Sequence, residues 1–521
     1  MSRATRELAA AAEPVRLRLL ISLILDPRSH TLPSRTALFV VTITLLGALA
    51  LHRDEPASAA GPDVIAAALH QSLSYGDDGS GIYAYAIGTI ACNVGDEEIA
   101  WIGGTAAHPV IAQNLYRLKD GRFEQIGMSW VKHAVTAFQE YYCGSCAPSA
   151  SGSAALGVGC SDPYTAIANG FQPRLGPRSV VDVATGVFPF PIGIPGYAPV
   201  IGRRLQVASA DVDPALNIGA LYFGEAQYVA ADDAQAGNAL NNASYRAATI
   251  GADASFTLTL VGPTFAEAPA IMAWAAADPN VEIAQLDVPN GGGRVILASR
   301  VTLGAPGSWH YEYALFNLTV ARAIGGFAVA VPMTNAIAGA GFHDVPYHSG
   351  ETIAGDDWPA ARTPNALAWT TTTHAADPNA NALRWGTLYN FRFESNAPPT
   401  NGVATLTLFA PGTPSSVAIN APVPSAAAPA FHDFVRGDAN SDGTLDIGDA
   451  LASLTYVVQG AILPPCLDAV DYDDSGALDI ADAIQTLTYL FSGGSAPAAP
   501  YPSCGADAFG DAISCTETAC P

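Results

Sequence analysis

Lysine is nearly absent from this sequence, because Lys119 and Lys132 are the only two among 521 residues. Charged residues of all kinds make up 13% of the chain, and the excess of acidic over basic side chains gives a formal net charge of −24. Binding to nucleic acid or to an anionic membrane surface depends on clusters of basic side chains. The composition therefore argues against both kinds of partner.

Long hydrophobic runs are also lacking after residue 51. The one extended apolar run, residues 37–51, is short for a spanning helix and follows an arginine-rich leader. A small-residue stretch, Ala57-Ser58-Ala59, comes next and is typical of a cleavage site. We therefore expect residues 1–60 to be a signal peptide or a signal anchor. The mature protein is predicted to be secreted or held at the cell surface, with no membrane span.

Eight cysteines fall into two sets of four, and an even count in an exported chain predicts disulfide bonds. In the C-terminal set, a bridge between Cys466 and Cys504 would clamp the segment between them. Cys515 and Cys520 would then close a small terminal loop.

The N-terminal set of cysteines permits two further interpretations. Cys143 and Cys146 have the spacing of a redox pair, but no thioredoxin-like βαβ pattern surrounds them. Together with Cys160 and His133 they could instead bind zinc. Structural disulfides are the favoured interpretation for an exported protein.

Two twelve-residue segments near the C-terminus, 33 positions apart, repeat one pattern of oxygen-bearing side chains. Positions 1, 3, 5, 9 and 12 carry oxygen ligands, position 6 is glycine, and position 7 can offer its carbonyl, which is the ligand order of an EF-hand-type Ca²⁺ loop. Each segment crowds four carboxylates together, and these repel one another unless a cation binds. We therefore predict two Ca²⁺ ions, one in each loop. The predicted ligands are Asp438, Asn440, Asp442, Thr444 (carbonyl), Asp446, Asp449, Asp471, Asp473, Ser475, Ala477 (carbonyl), Asp479 and Asp482.

An amphipathic segment follows each loop and ends at a glycine, Gly460 or Gly493, where a helix would stop. Apolar residues recur there at i, i+3 and i+7, which predicts a helix with one apolar stripe. Neither helix can bury its stripe alone, so we expect the two to pack against each other in antiparallel fashion. The two stripes consist of Leu451, Leu454 and Val458, and of Ile484, Leu487 and Phe491.

Residues 431–493 resemble a type I dockerin, a calcium-binding docking module built from two loop-helix repeats. The resemblance implies a non-catalytic module that binds a cohesin domain and tethers a secreted polysaccharide-degrading enzyme to a scaffold. Ser475 departs from the acidic or amide residue expected at position 5, which predicts a weaker second site. Ile447-Gly448 and Ile480-Ala481 stand where cellulosomal dockerins have a polar pair that reads the cohesin. The predicted partner is thus a cohesin-like or other cell-surface protein.

Between residue 61 and about residue 408, short runs with period-two alternation recur between clusters of Gly, Pro, Asn and Asp. Such runs predict a mainly β fold with one or two β-sandwich-like domains, followed by a small α-helical dockerin or EF-hand-like calcium module. Three of the runs contain Phe256, Leu258 and Leu260, then Tyr311, Tyr313 and Leu315, and then Tyr389, Phe391 and Phe393. The predicted divisions are a cysteine-containing β-rich region (61–200), a β-sandwich-like domain (201–410), a Pro/Ala/Ser linker (411–430), the dockerin-like module (431–493) and a cysteine-containing tail (494–521).

Catalytic candidates in the β-rich part are few. His343, His348 and Glu351 lie within nine residues and could share a metal, although a polar turn is the favoured interpretation. The pairs Asp232-Asp233 and Asp356-Asp357 could supply the acid and the nucleophile of a glycosidase, but adjacent aspartates in loops are more often simply solvated. The sequence has no GxSxG motif, no catalytic Cys-His signature and no phosphate-binding glycine loop.

All seven tryptophans lie outside the calcium segments, and Trp358, beside an aspartate pair, is expected to be the most exposed and a candidate for stacking on sugar rings. We favour an exported calcium-binding protein whose C-terminal repeats dock a non-catalytic β-rich binding module to a scaffold or cell surface, with polysaccharide as a further candidate partner. The alternative is a dockerin-tethered polysaccharide-degrading O-glycosyl hydrolase, so enzymatic activity is left open.

Overall fold

The computed structural model describes residues 60–192, 196–304, 308–348, 350–426, 432–460, 464, 466–507, 513, 515 and 519–520. Strands make up 40% of the chain and helices 13%, so the fold is mainly β, as the alternation predicted. The predicted signal segment, residues 1–60, lies outside the described residues except for Ala60.

Eleven antiparallel strands form the first sheet. They are β1 (Val64–Asp77), β2 (Ile82–Asn93), β4 (Val110–Lys119), β5 (Arg122–Met128), β6 (Val131–His133), β8 (Ser161–Tyr164), β9 (Leu175–Gly176), β10 (Leu205–Ala208), β11 (Leu221–Val229), β12 (Ala243–Ile250) and β13 (Leu258–Phe265). A separate pair consists of β3 (Ile99–Ala100) and β7 (Ala155–Leu156). The main path of the sheet is β1-β2-β10-β5-β4-β11-β12-β13. Its strands come from both sides of residue 200, so the sheet does not follow the division predicted there.

The second and third sheets contain five antiparallel strands each. In order, the second sheet is β14 (Glu282–Asp287), β15 (Arg294–Leu303), β16 (Trp309–Asn317), β21 (Thr387–Ser395) and β18 (Ile337–His343). The third sheet is β19 (Ala360–Thr363), β20 (Ala366–Thr370), β17 (Ile324–Ala330), β22 (Pro399–Leu408) and β23 (Ser416–Pro424).

Alternation along β16 shows how the second sheet is covered on both faces. Tyr311 and Tyr313 belong to a core shared with residues of the third sheet, such as Phe327. Phe316 points the other way, into a core that includes Tyr116 of the first sheet. Successive side chains of a strand point to opposite faces, so the second sheet lies between two apolar layers.

Part of the segment predicted as a linker, residues 411–430, is instead the strand β23. Its residues Ile419, Ala421 and Val423 are buried in the core of the third sheet. Period-two alternation decides the structure here, and the prolines are tolerated because β23 is an edge strand. Residues 427–430 lie outside the described residues.

The helices are short except for two near the C-terminus. Within the described ranges, no helix has the length and hydropathy needed to cross a bilayer. The α-helices are α1 (Ala166–Asn169), α2 (Ser209–Val212), α3 (Ala231–Ala236), α4 (Met272–Ala277), α5 (Ile447–Gln459), α6 (Leu467–Val470) and α7 (Ile480–Ser492). Short 3₁₀ turns cover Gly152–Ala154, Gln172–Arg174 and Arg178–Val180.

Four disulfides confirm the prediction of structural cystines but correct the predicted C-terminal pairing. Cys466 pairs with Cys515, and Cys504 pairs with Cys520. The predicted Cys466–Cys504 bridge is wrong because the tail folds back onto the calcium segments and brings Cys515 beside Cys466. The N-terminal pairs are Cys92–Cys143 and Cys146–Cys160.

Candidate metal centre

The two predicted calcium loops have the same backbone path. Position 4 is in the left-handed region in both, with φ of 58° at Ser441 and 59° at Asp474. The glycine at position 6 also has a positive φ, 86° at Gly443 and 74° at Gly476. Glycine adopts such values without a steric penalty, so this residue allows the sharp turn in each loop.

The first carboxylate of each loop holds the turn closed. Asp438 accepts hydrogen bonds from the backbone N–H groups of Asp442 (3.0 Å) and Gly443 (2.9 Å). Asp471 accepts the equivalent pair, from Ser475 (3.1 Å) and Gly476 (2.8 Å). The loops therefore keep one shape although their position-5 side chains differ.

The carboxylates at positions 9 and 12 also begin the following helices. Asp446 caps α5, and Asp449 returns a hydrogen bond by accepting the Asp446 N–H at 2.8 Å. Asp479 and Asp482 form the same capping box at α7, with an N–H to oxygen distance of 2.9 Å. A capping box satisfies N–H groups that the first helical turn leaves without partners. Predicted ligands and helix start are thus joined in each unit.

Carboxylates crowd together in both loops. Oxygen atoms of Asp471, Asp473 and Asp482 lie within 4.8 Å of one another. Burial raises the pKa of Asp482 to about 6, and the charges of Asp471 and Asp473 raise it further. The pKa of Asp449 is also raised to about 6, by burial and then by the charges of Asp438 and its neighbours.

These donor sets fit a hard divalent cation. The atoms are carboxylate, amide, hydroxyl and carbonyl oxygens, which Ca²⁺ prefers, and a bound cation would relieve the repulsion between the carboxylates. The assignment of the twelve ligands stays a prediction.

Arg436 was missed by the sequence analysis, although it is the sole basic residue after residue 431. Its side chain is fully buried and pairs with Asp474 (2.9 Å) and Asp507 (2.6 Å). It also donates to the carbonyl groups of Asp468 (3.0 Å) and Asp471 (2.7 Å). Arg436 therefore ties the start of the first loop to the second loop and to the tail. A single cation in so acidic a segment was the signal that could have found it.

The helices α5 and α7 pack against each other, but not through the predicted stripes. Leu451 and Ile484 are 57% and 52% exposed. Small residues are buried on these helices instead, with Ala450 and Ala483 each 1% exposed. Small side chains let two helices approach closely, which explains why the face without bulky residues is the buried one. The prediction that the stripes would be buried between the helices is wrong.

Equivalent bulky apolar residues are exposed on both helices. The pairs occupy matching positions of the two repeats, and every member is at least 52% exposed. They are Ile447 and Ile480, Leu451 and Ile484, and Val458 and Phe491. We call these six residues the apolar stripes.

The structure does not bring His343, His348 and Glu351 to one point. Nε2 of His348 lies 2.8 Å from the carbonyl oxygen of Arg204. The carboxylate of Glu351 accepts the backbone N–H of Arg178 at 2.8 Å. Among the described residues, the close groups of potential metal ligands do not include these three.

The zinc alternative is wrong because its cysteines are oxidised. Cys143 and Cys146 are in disulfides with Cys92 and Cys160, so none can supply a thiolate. Nδ1 of His133 lies 2.9 Å from Nε2 of a second buried histidine, His108.

The aspartate pairs have structural or solvated positions. Asp233 is fully buried and accepts hydrogen bonds from the Val64 N–H (2.9 Å) and the Asn242 side chain (2.8 Å). Asp232 accepts the Ala100 N–H at 2.6 Å. These carboxylates join strands of the first sheet, and Asp356 and Asp357 are exposed.

Trp358 is buried rather than exposed, which corrects the expectation from its acidic neighbours. It is 1% exposed and stacks on Phe342, with ring centres 5.6 Å apart and an interplanar angle of 9°. Tyr389 meets it edge-on at 5.6 Å. These partners come from strands distant in sequence, so neighbouring residues could not reveal the burial.

Comparison with known proteins found no family model and no curated protein that matches the chain.

Proposed function

We propose that this chain is an exported calcium-binding protein whose C-terminal repeats dock a non-catalytic β-rich module to a scaffold or cell-surface protein. Each repeat would hold one Ca²⁺ ion in its loop and present its helix to the partner. The observation that carries the proposal is the repetition itself. The two units match in loop backbone, capping box and exposed apolar residues.

Calcium fits the proposal because it would join elements on which docking depends. Asp449 and Asp482 stand at the last loop position and also support the first turns of α5 and α7. Binding at the loops would therefore fix the orientation of both helices.

The apolar stripes are the proposed docking surface. Exposed bulky apolar residues on a folded protein often mark an interaction site when they are concentrated in one region. Six such residues at matching positions of two packed helices are a stronger indication than scattered exposure. The apolar character of Ile447 and Ile480 favours a partner with an apolar complementary surface.

Four disulfides are consistent with an extracellular location, since such bonds persist in oxidising compartments. A surface-docked protein would also need tolerance to an unregulated environment, which covalent cross-links provide.

Co-sedimentation of the full secreted chain with a cell-envelope fraction tests the proposal. We expect binding in Ca²⁺ that is lost in EDTA, and lost in Ca²⁺ when Leu451→Ser and Ile484→Ser are combined. The control is the pair Val261→Ser and Val403→Ser, which removes exposed apolar residues from the β-rich part. Binding that survives both EDTA and the stripe substitutions would disprove calcium-dependent docking through these helices.

A further inference from the structure

A cavity of about 320 Å³ lies where residues 178–182 meet three loops that flank the second and third sheets. Its size is at the lower end of the range for small-molecule sites, which suits a compact ligand. The residues around it come from distant parts of the chain. They are Met128, Arg178, Ser179, Val180, Val181, Asp182, Ala321, Tyr347, Glu351, Ile353, Arg384, Trp385 and Thr387.

One wall of the cavity is held rigidly by Arg178. Its buried guanidinium donates to the carbonyl groups of Ser129 (2.6 Å) and Gln113 (2.6 Å), and to the side chain of Asn114 (2.8 Å). The same group lies over the Trp385 ring, 5.8 Å from its centre. The indole is therefore fixed before any ligand arrives, and a preformed wall lowers the entropic cost of binding.

The opposite loop is fastened to the same wall. Glu351 accepts the Arg178 backbone N–H at 2.8 Å, and its second oxygen accepts the Ser179 hydroxyl. Tyr347 donates to the Ala382 carbonyl at 2.7 Å, which holds the start of this loop. The cavity is thus bounded by elements that hydrogen bonds keep in place.

The charges around the cavity balance. Two guanidinium groups, Arg178 and Arg384, stand with two carboxylates, Asp182 and Glu351. A balanced set does not favour an ion of either sign, so a neutral ligand suits it best.

The polar groups of the lining offer both donors and acceptors. Asp182 is exposed, and its carboxylate can accept hydrogen bonds from ligand hydroxyls. The buried Arg384 Nε–H has no hydrogen-bond partner among the described residues, and an unpaired buried donor is unfavourable. Trp385, Met128 and Ile353 add apolar surface. Hydroxyl groups that donate and accept, on a ring with apolar C–H faces, match this combination.

We propose that this cavity binds a neutral sugar of about one or two rings. The inference rests on the proposed role of the β-rich part as a binding module and names its ligand class. Trp385 would contact a ring face, Asp182 would accept from ring hydroxyls, and Arg384 would donate to a ring or hydroxyl oxygen.

Saturation-transfer NMR on the full secreted chain tests the proposal. The probes are glucose, galactose, mannose, xylose and N-acetylglucosamine, each also as its β-1,4-linked disaccharide. We expect transfer to at least one probe, with about tenfold weaker binding for Asp182→Asn and for Arg384→Gln. Two variants are used so that a folding defect in one leaves the other informative. Asp357→Asn is the matched control, because it removes an exposed carboxylate outside the cavity and should leave binding unchanged.

Absence of transfer to every probe would overturn the proposal, and so would binding that neither substitution weakens. The same samples are measured in Ca²⁺ and in EDTA. Sugar binding that persists in EDTA supports the cavity independently of docking, whereas a failure of docking with intact sugar binding rejects the docking proposal alone.

Discussion

Asp473 separates ligand loss from structural damage at the residue scale. Its carboxylate is exposed and accepts a hydrogen bond from the Gln485 side chain at 2.6 Å, which lowers the pKa of Asp473. Asp473→Ala should weaken calcium binding at the second loop about ten- to a hundredfold, because one charged oxygen ligand is lost. A chelator-competition titration measures both sites at once.

The control for that substitution is Asp433→Ala. Asp433 is exposed and lies outside both loops, so its loss changes the net charge equally without removing a predicted ligand. Equal weakening by both variants would mean that general charge, and not coordination by Asp473, governs the affinity.

Arg436 makes a second prediction at this scale. Its partners Asp474 and Asp507 have side chains only 6% and 4% exposed, so removing the guanidinium leaves two buried carboxylates without a cation. Arg436→Gln should lower the free energy of unfolding of the C-terminal part by about 3–5 kcal/mol. Urea denaturation followed by far-UV circular dichroism measures the change.

The comparison for Arg436 is the exposed pair between Arg294 and Asp287, whose aspartate side chain is 63% exposed. Arg294→Gln should cost about 1 kcal/mol or less, because solvent screens such a pair. A loss for Arg436→Gln as small as this would show that the buried network does not stabilise the calcium segments.

At the scale of elements, the sequence predicted local structure better than its environment. Period-two alternation located β16 and β21, and loop spacing followed by an i, i+3, i+7 pattern located α5 and α7. Which helix face is buried could not be read this way, because it depends on how closely the partner helix approaches. Ala450 and Ala483 decide that contact, and alanine carries no strong pattern in a sequence.

The helix contact gives a prediction with opposite outcomes at adjacent positions. Ala483 is 1% exposed, so Ala483→Leu should overpack the helix contact and lower the free energy of unfolding by about 1–3 kcal/mol. Ile484 is 52% exposed, so Ile484→Ser should change it by about 0.5 kcal/mol or less. Thermal unfolding in saturating Ca²⁺ compares the two. A larger loss for Ile484→Ser would restore the predicted stripe packing.

At the scale of the whole molecule, charged side chains join the first and second sheets. Arg122 of β5 binds Glu312 of β16 through two hydrogen bonds of 2.9 and 3.0 Å. His310 lies 3.2 Å from Glu312 and 2.6 Å from Glu394. Hydrogen bonds with Glu312 and then with Glu394 raise the pKa of His310 above its ordinary value of 6.5.

A raised histidine pKa fixes the sign of a pH effect. The stabilisation is fully present below pH 6.5 and is lost as the pH rises through the folded-state value. We therefore expect the Tm to fall as the pH rises above 6.5, and His310→Gln to reduce that slope. The control is His374→Gln, since His374 contacts the Phe409 ring rather than a carboxylate. An unchanged slope in His310→Gln would contradict this role.

Long-range pairing is the part of the molecule that the sequence could not provide. Cysteine spacing predicted disulfides, but four cysteines allow three pairings, and the tail's return to Cys466 selects one of them. The neutral cavity likewise joins Asp182 to Arg384 across about two hundred residues.

Equilibrium dialysis of the full secreted chain against radioactive calcium tests the central claim most directly. Two bound ions per molecule are predicted for the natural sequence, and one tightly bound ion for Asp473→Ala. Fewer than one ion bound to the natural sequence at millimolar calcium, or an equal number in the two proteins, would contradict the assignment of these loops as calcium sites.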